Sequence, residues 1–299
     1  MLSAFCQIFQ NKFLWVLIAI FFSSFHLSAC SQGKSFEQTV PSASEKLCAL
    51  LAGTTPPLVF AHRGDHARYY DNTYEAIAHA VENGYDGVEM DVVMCASGVP
   101  VIFHDFDLQN VTGDRRLIRE MTLEKLQTIK HAQRMITGRM FPTVDEILRD
   151  FGGKIIMLFE VKADVNGNTY GADIAVCQAI SRYKLLDSCL VSSLNPLVVE
   201  NIAKHNPSVN YMFEFMVIDP AKNLEEYYQK YLAKWYRSPI ISMYFYYCTP
   251  DTMNWARMYF KAVSVFTPNS KKSLRLMVAN GARLIQTDEP ALLKKLLQN

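Results

Sequence analysis

The chain lacks an excess of either charge: 30 Lys and Arg stand against 29 Asp and Glu, a formal net charge of +1 over 299 residues. Nothing in that balance attracts a polyanion, so no nucleic acid is expected as a partner. Long apolar stretches are missing too. The most apolar run, residues 13–22 (FLWVLIAIFF), falls short of the ~20 residues that a membrane-crossing helix needs. No internal repeat or low-complexity tract interrupts the chain, and none of its 7 cysteines has zinc-type spacing.

That short apolar run follows Lys12 and precedes Ser23-Ser24, which suits the apolar region of an export signal. It ends at Leu27-Ser28-Ala29-Cys30. Leu27 is a poor fit to an ordinary cleavage site of small residues, and the tetrapeptide instead resembles a bacterial lipobox, in which the cysteine becomes the lipidated first residue. Residues 1–29 are therefore expected to be a lipoprotein signal peptide, Cys30 the lipidation site, 30–44 a flexible polar tether and 45–299 the folded domain. The alternative is a plain secreted leader. A two-chain anchor at Cys30 holds a protein stably at a membrane. Ser31 lacks the acidic character that often retains such proteins at the inner membrane, so the expectation is the outer membrane of a bacterial envelope.

With Cys6 in the leader and Cys30 lipidated, Cys48, Cys95, Cys177, Cys189 and Cys248 remain, an odd set that excludes complete pairing. All are expected to be buried apolar residues.

From residue 58 onward, extended apolar runs alternate with helical patterns. Strands are predicted at 58–61, 88–92, 154–161, 189–193, 210–215, 240–246, 262–266 and 283–286. Helices are predicted near 73–83, 143–151, 172–184, 196–205, 224–235, 252–260, 271–280 and 291–298, and a short helix at 45–51 is placed beneath the domain. Eight such units predict an α/β fold, a TIM (β/α)8 barrel, with an insertion at 105–141 between the second strand and its helix. Residues 99–103 are expected to pair back onto that second strand.

Chemistry concentrates at the strand exits, where barrels of this kind carry their active sites. The first strand ends on His62-Arg63-Gly64. Alternation puts Glu89 and Asp91 on one face of the second, and Glu160 and Lys162 on one face of IIMLFEVK. Two carboxylates side by side repel unless a cation or proton shares the site, and oxygen-only ligation favours Mg²⁺ or Ca²⁺ over zinc. His62 and His104 can trade a proton near neutral pH. Asp288 reaches the same rim. His66, His79, His131 and His205 have no evident partners and are expected to be ordinary surface or packing residues.

In this arrangement His62-Arg63-Gly64, Asn72-Thr73, Glu89-Met90-Asp91, Val99-Pro100-Val101 and His104-Asp105 resemble, in order, the opening motifs of the glycerophosphodiester phosphodiesterase family. Phe141-Pro142-Thr143, Glu160-Val161-Lys162 and Thr287-Asp288-Glu289-Pro290 resemble its later ones. The resemblance implies hydrolysis of glycerophosphodiesters to glycerol 3-phosphate and an alcohol. It also implies His62 and His104 as acid and base, Glu89, Asp91 and Glu160 as ligands of a divalent cation, and Arg63 and Lys162 as phosphate-binding cations. It makes 105–141 a small capping module, in which residues 117–130 are expected to supply a short helix. Where the family has Pro-Glu before Asn-Thr, this chain has Tyr70-Asp71. The alternatives are phospholipase D-like hydrolysis of lysophospholipids or sphingolipids, and a membrane-anchored binding protein without catalysis.

Overall fold

Short, largely buried strands rich in Val, Ile, Leu and Phe form a parallel sheet that closes on itself. The computed structural model describes residues 40–130, 138–216 and 238–298. Signal peptide, Cys30, most of the tether, His131 and the predicted helix 224–235 lie outside the described residues. The strands are β1 (Leu58–Ala61), β2 (Gly87–Met94), β3 (Pro100–Ile102), β4 (Ile156–Val161), β5 (Cys189–Ser193), β6 (Asn210–Phe215), β7 (Ile240–Tyr244), β8 (Ala262–Phe266) and β9 (Leu284–Thr287). All but β3 run parallel, in the order β1-β9-β8-β7-β6-β5-β4-β2, and β1 pairs with β2 to close the barrel. The short β3 lies antiparallel on β2, as the sequence implied for residues 99–103.

Two-residue periodicity divides every strand between two cores. Val88, Met90 and Val92 of β2 and Met157, Phe159 and Val161 of β4 face the surrounding helices. Their neighbours face the barrel axis. At its N-terminal end Leu58, Phe60, Ile156, Leu158, Leu190, Met212, Ile240 and Leu284 pack around Leu47 and Leu50 of α1 (Ala43–Ala52), which plugs the bottom. Each fully buried leucine contributes roughly 1.5–3 kcal/mol. Ser42 and Glu45 form a capping box at the start of α1, and Lys46 pairs with Asp86 at 2.7 Å. Gly87 looks into the same interior, where a Cβ would sit 2.3 Å from the ring of Phe60.

The helices that follow the strands are α2 (Tyr74–Glu82), then α3 (Gln109–Thr112) and α4 (Leu123–Leu126) inside the insertion, then α5 (Val144–Phe151), α6 (Ala172–Arg182), α7 (Pro196–His205), α8 (Pro250–Tyr259), α9 (Lys271–Ala279) and α10 (Pro290–Leu297). The insertion has its own small core. Phe103, Leu108, Val111, Ile118, Met121, Leu126 and Phe141 pack together over Val93 and Val101, with the rings of Phe103 and Phe141 4.7 Å apart. One short helix was expected over 117–130; a 3-10 turn at Ile118–Glu120 and the separate α4 take its place, because Met121 is extended and Thr122 caps a new start by accepting from the Lys125 amide.

Two further expectations are corrected. The seventh strand ends at Tyr244, not 246, since its partner β8 ends at Phe266 and no backbone remains to pair with. Phe245–Tyr247 turn away as a 3-10 segment. Cys48 is exposed on the outer face of α1, while Cys95, Cys177, Cys189 and Cys248 are buried and unpaired as thiols. Burial pushes the Cys177 and Cys248 thiols up to about 12, which leaves them inert. Among the described residues no helix is long and apolar enough to cross a membrane.

Candidate active site

Above the apolar plug the inward positions change character. Glu89 and Asp91 on β2, Glu160 on β4, Ser192 on β5, Glu214 on β6, Ser242 on β7, Ser264 on β8 and Gln286 on β9 are all buried. Parallel register sets Asp91 beside Glu160 and Glu160 beside Ser192. Candidate ligand oxygens of Glu89, Asp91 and Glu160 lie within 4.8 Å of one another.

Two cations enter this cluster. Lys162 Nζ is 2.7 Å from Asp91 Oδ1 and 2.7 Å from Glu160 Oε1. Arg63 gives its backbone amide to Glu89 Oε2 at 2.9 Å, holds Nε 3.3 Å from Asp91 Oδ2, and sends Nη1 to Asp71 Oδ2 at 2.9 Å. Asn72 bridges the strand edge, donating from Nδ2 to Asp91 Oδ2 at 2.7 Å and accepting from the Asp91 amide. Arg63 and Asn72 both adopt left-handed backbone conformations, with φ of 56° and 55°, and the Asn72 amide donates to the Arg63 carbonyl. Such conformations cost about 1 kcal/mol or more each and persist where surrounding contacts hold them.

Four buried carboxylates against two cations leave the cluster short of positive charge. Burial and its acidic neighbours push the Glu89 carboxyl well above the ordinary range, and Glu214 is pushed up to about 8 for the same reasons. Asp91 is held low, because Lys162 and Arg63 outweigh its burial. Glu89 Oε1 is buried without a hydrogen-bond partner, whereas Glu214 Oε1 accepts from Ser192 Oγ at 3.0 Å. An all-oxygen, electron-rich cluster with an unpartnered carboxylate oxygen fits a hard divalent cation.

Two histidines border the cluster, each backed by a carboxylate. His62 Nδ1 lies 2.7 Å from Asp288 Oδ1, and its Nε2 is 3.8 Å from Glu89 Oε2. His104 Nδ1 lies 2.6 Å from Asp105 Oδ1, and Asn110 Nδ2 donates to the other oxygen of Asp105. The Phe103 amide donates to the Asp91 carbonyl, which brings His104 to the rim beside β2. Asp288 also accepts from Asn269 Nδ2 at 2.5 Å and touches His66 Nε2 at 3.2 Å. Those histidine contacts hold the Asp288 carboxyl far below its usual range, and Asp288 raises His66.

All seven residues singled out from the sequence, His62, Arg63, Glu89, Asp91, His104, Glu160 and Lys162, thus border one mouth. His66 is not the unpartnered residue expected, because β9 delivers Asp288 beside it; His79 likewise sits 3.2 Å from Asp65. Glu214 was overlooked, although alternation from the inward Met212 places it on the axis. Asp71, noted only as a departure from the Pro-Glu pattern, braces Arg63.

A closed (β/α)8 barrel with buried carboxylates, two inward cations and two carboxylate-backed histidines at the C-terminal ends of its strands defines an enzyme whose mouth is equipped for acid–base chemistry. Residues 62–292 match the model of the glycerophosphoryl diester phosphodiesterase family. The chain belongs to that family and is a phosphoric diester hydrolase. It is 24% identical over 251 residues to a glycerophosphodiester phosphodiesterase of Caldanaerobacter subterraneus, which covers 81% of this chain and 98% of the relative. Against the enzyme of Bacillus altitudinis the figures are 26% over 236 residues, 78% and 94%. A phosphodiesterase of Oleispira antarctica, solved with the product sn-glycerol-3-phosphate, superposes with a TM-score of 0.70 at 20% identity, covering 82% of this chain and 98% of that one.

Proposed function

We propose that this enzyme cleaves glycerophosphodiesters to glycerol 3-phosphate and an alcohol by proton transfer between His62 and His104, with a divalent cation, Mg²⁺ or Ca²⁺, held by Glu89, Asp91 and Glu160. The observation that carries the reading is the buried three-carboxylate cluster between two histidines that are each oriented by an acid. The bound cation supplies positive charge to phosphate oxygens. Arg63 and Lys162 add fixed positive charge, the first as a planar fork and the second as a point charge.

In each histidine the carboxylate engages Nδ1, which leaves Nε2 for the reacting groups. One Nε2 takes the proton of the glycerol hydroxyl next to the phosphate as its oxygen bonds to phosphorus. The other gives a proton to the departing alkoxide as the old phosphorus–oxygen bond breaks. The cyclic phosphate so formed then takes up water with the two roles exchanged, and both histidines return to their starting states. The product bound in the Oleispira relative supports this substrate class.

We further place the catalytic domain outside the cytoplasm, tethered through Cys30; the support is the leader sequence, and release of a Cys30→Ser variant from the membrane fraction tests it. For the reaction, the full-length chain is assayed for glycerol 3-phosphate release from glycerophosphocholine and glycerophosphoethanolamine, with chelator and with each cation restored. Cation-dependent release is expected. No release under any of these conditions sinks the reading.

A further inference from the structure

The strands β1 and β9 end together: Ala61 pairs with Thr287, and the His62 amide donates to the Thr287 carbonyl at 3.1 Å. His62 and Asp288, one residue further along each strand, therefore meet through their side chains. That contact uses Asp288 Oδ1 alone. The same oxygen lies 3.2 Å from His66 Nε2, and the Asp288 side chain is 33% exposed, so His62 by itself does not fix the rotation of the carboxylate.

The missing constraint comes from the loop after β8. Asn269 Oδ1 accepts from the Asp288 amide at 2.9 Å and from Thr287 Oγ1 at 3.0 Å. A backbone N–H can only donate, so the Asn269 side chain has one orientation, with Nδ2 directed at Asp288 Oδ2. One residue thus grips both the main chain and the carboxylate of Asp288. The second histidine repeats the arrangement: Asp105 Oδ1 meets His104 Nδ1, and Asn110 Nδ2 donates to Asp105 Oδ2 at 2.7 Å. Each histidine therefore heads a His–Asp–Asn relay in which the amide holds the carboxylate oxygen that the imidazole does not use.

We infer that Asn269 and Asn110 are positioning residues for the two histidines. Each holds one carboxylate oxygen, so that the other faces Nδ1, keeps the proton of the neutral imidazole there and leaves Nε2 to accept. This rests on the phosphodiesterase reading above. Without Asn269 the Asp288 carboxylate turns toward water or His66, and His62 is free to carry its proton on Nε2, where it cannot act as a base. Both asparagines are exposed, so replacing them leaves the core filled.

The test uses the full-length chain with glycerophosphocholine and saturating cation at about pH 8. Asn269→Asp and Asn110→Asp keep the shape of the side chain but replace the donor by an acceptor. Each is expected to lower kcat by about tenfold or more, with KM changed by no more than about twofold. In an Asp288→Ala background the Asn269 substitution should cost less than about twofold, and so should the Asn110 substitution in Asp105→Ala. Full kcat in both single variants, or losses that persist undiminished in those backgrounds, overturns the inference. Nitrogen chemical shifts of the imidazoles read the same point without turnover: His62 carries its proton on Nδ1 in the unmodified protein and on both nitrogens in Asn269→Asp. An unchanged His62 tautomer overturns the role of Asn269. Absence of turnover by the unmodified enzyme sinks the phosphodiesterase reading instead, and the shifts then decide the relay.

Discussion

Asp91 and Glu160 stand side by side as registered partners on the parallel strands β2 and β4, and Lys162 Nζ reaches one oxygen of each at 2.7 Å. One ammonium shared by two buried carboxylates leaves Glu89 and Glu214 without comparable compensation. The electrostatics of the mouth follow from that shortfall.

Removing a ligand carboxylate should remove metal binding before it removes the fold. Glu89→Gln and Asp91→Asn are expected to weaken Mg²⁺ or Ca²⁺ binding by about 10²-fold, because ligand charge sets the affinity of such sites. Isothermal titration of each variant measures this; unchanged affinity in both excludes the cluster as the cation site.

The histidines should separate chemistry from binding. His62→Ala and His104→Ala are each predicted to lower kcat by about 10²–10⁴-fold with KM nearly unchanged, as for loss of a general acid or base. Steady-state kinetics on glycerophosphocholine decides it.

Without a divalent cation, stability should fall as pH rises. Glu214 is raised from an ordinary value of 4.5 to about 8, and Glu89 is raised as well. Between those two pH values the folded protein binds more protons than the unfolded chain, so this contribution is present in full near pH 4.5 and is lost toward pH 8. Thermal melts in chelator should show Tm decreasing from pH 5 to pH 8 relative to the Glu214→Gln variant. Added cation should raise Tm most at the alkaline end.

Asp288→Asn removes the anion shared by two imidazoles. His66 is predicted to titrate at lower pH in this variant, since its raised value is due first to the Asp288 contact. An NMR titration of the imidazole resonances reads it directly; a His66 value that does not move refutes the pairing.

Gly87→Ala tests the barrel interior. A Cβ 2.3 Å from the Phe60 ring forces that ring or the strand to shift, and a loss of about 1–3 kcal/mol in denaturant unfolding is expected.

Periodicity and residue chemistry made much of this legible in advance. Alternation along GVEMDVV is a property of any extended strand, so Glu89 and Asp91 had to share a face wherever β2 lay. The eight-fold repetition of strand and helix specified the barrel, and with it one end at which His62, Glu160 and Lys162 meet. Strand ends at the mouth were less legible, because pairing with a neighbour, not local propensity, stops β7 at Tyr244.

The amino-acid sequence by itself determined which residues point inward and which end of the barrel is chemical, since both follow from short-range geometry and topology. Only the tertiary structure decided who partners whom. Asp288 meets His62 across 226 positions of chain, Asp71 swings onto Arg63, and Glu214 joins the carboxylates from β6. Those contacts depend on closure, which sets distances between strands that no local pattern encodes.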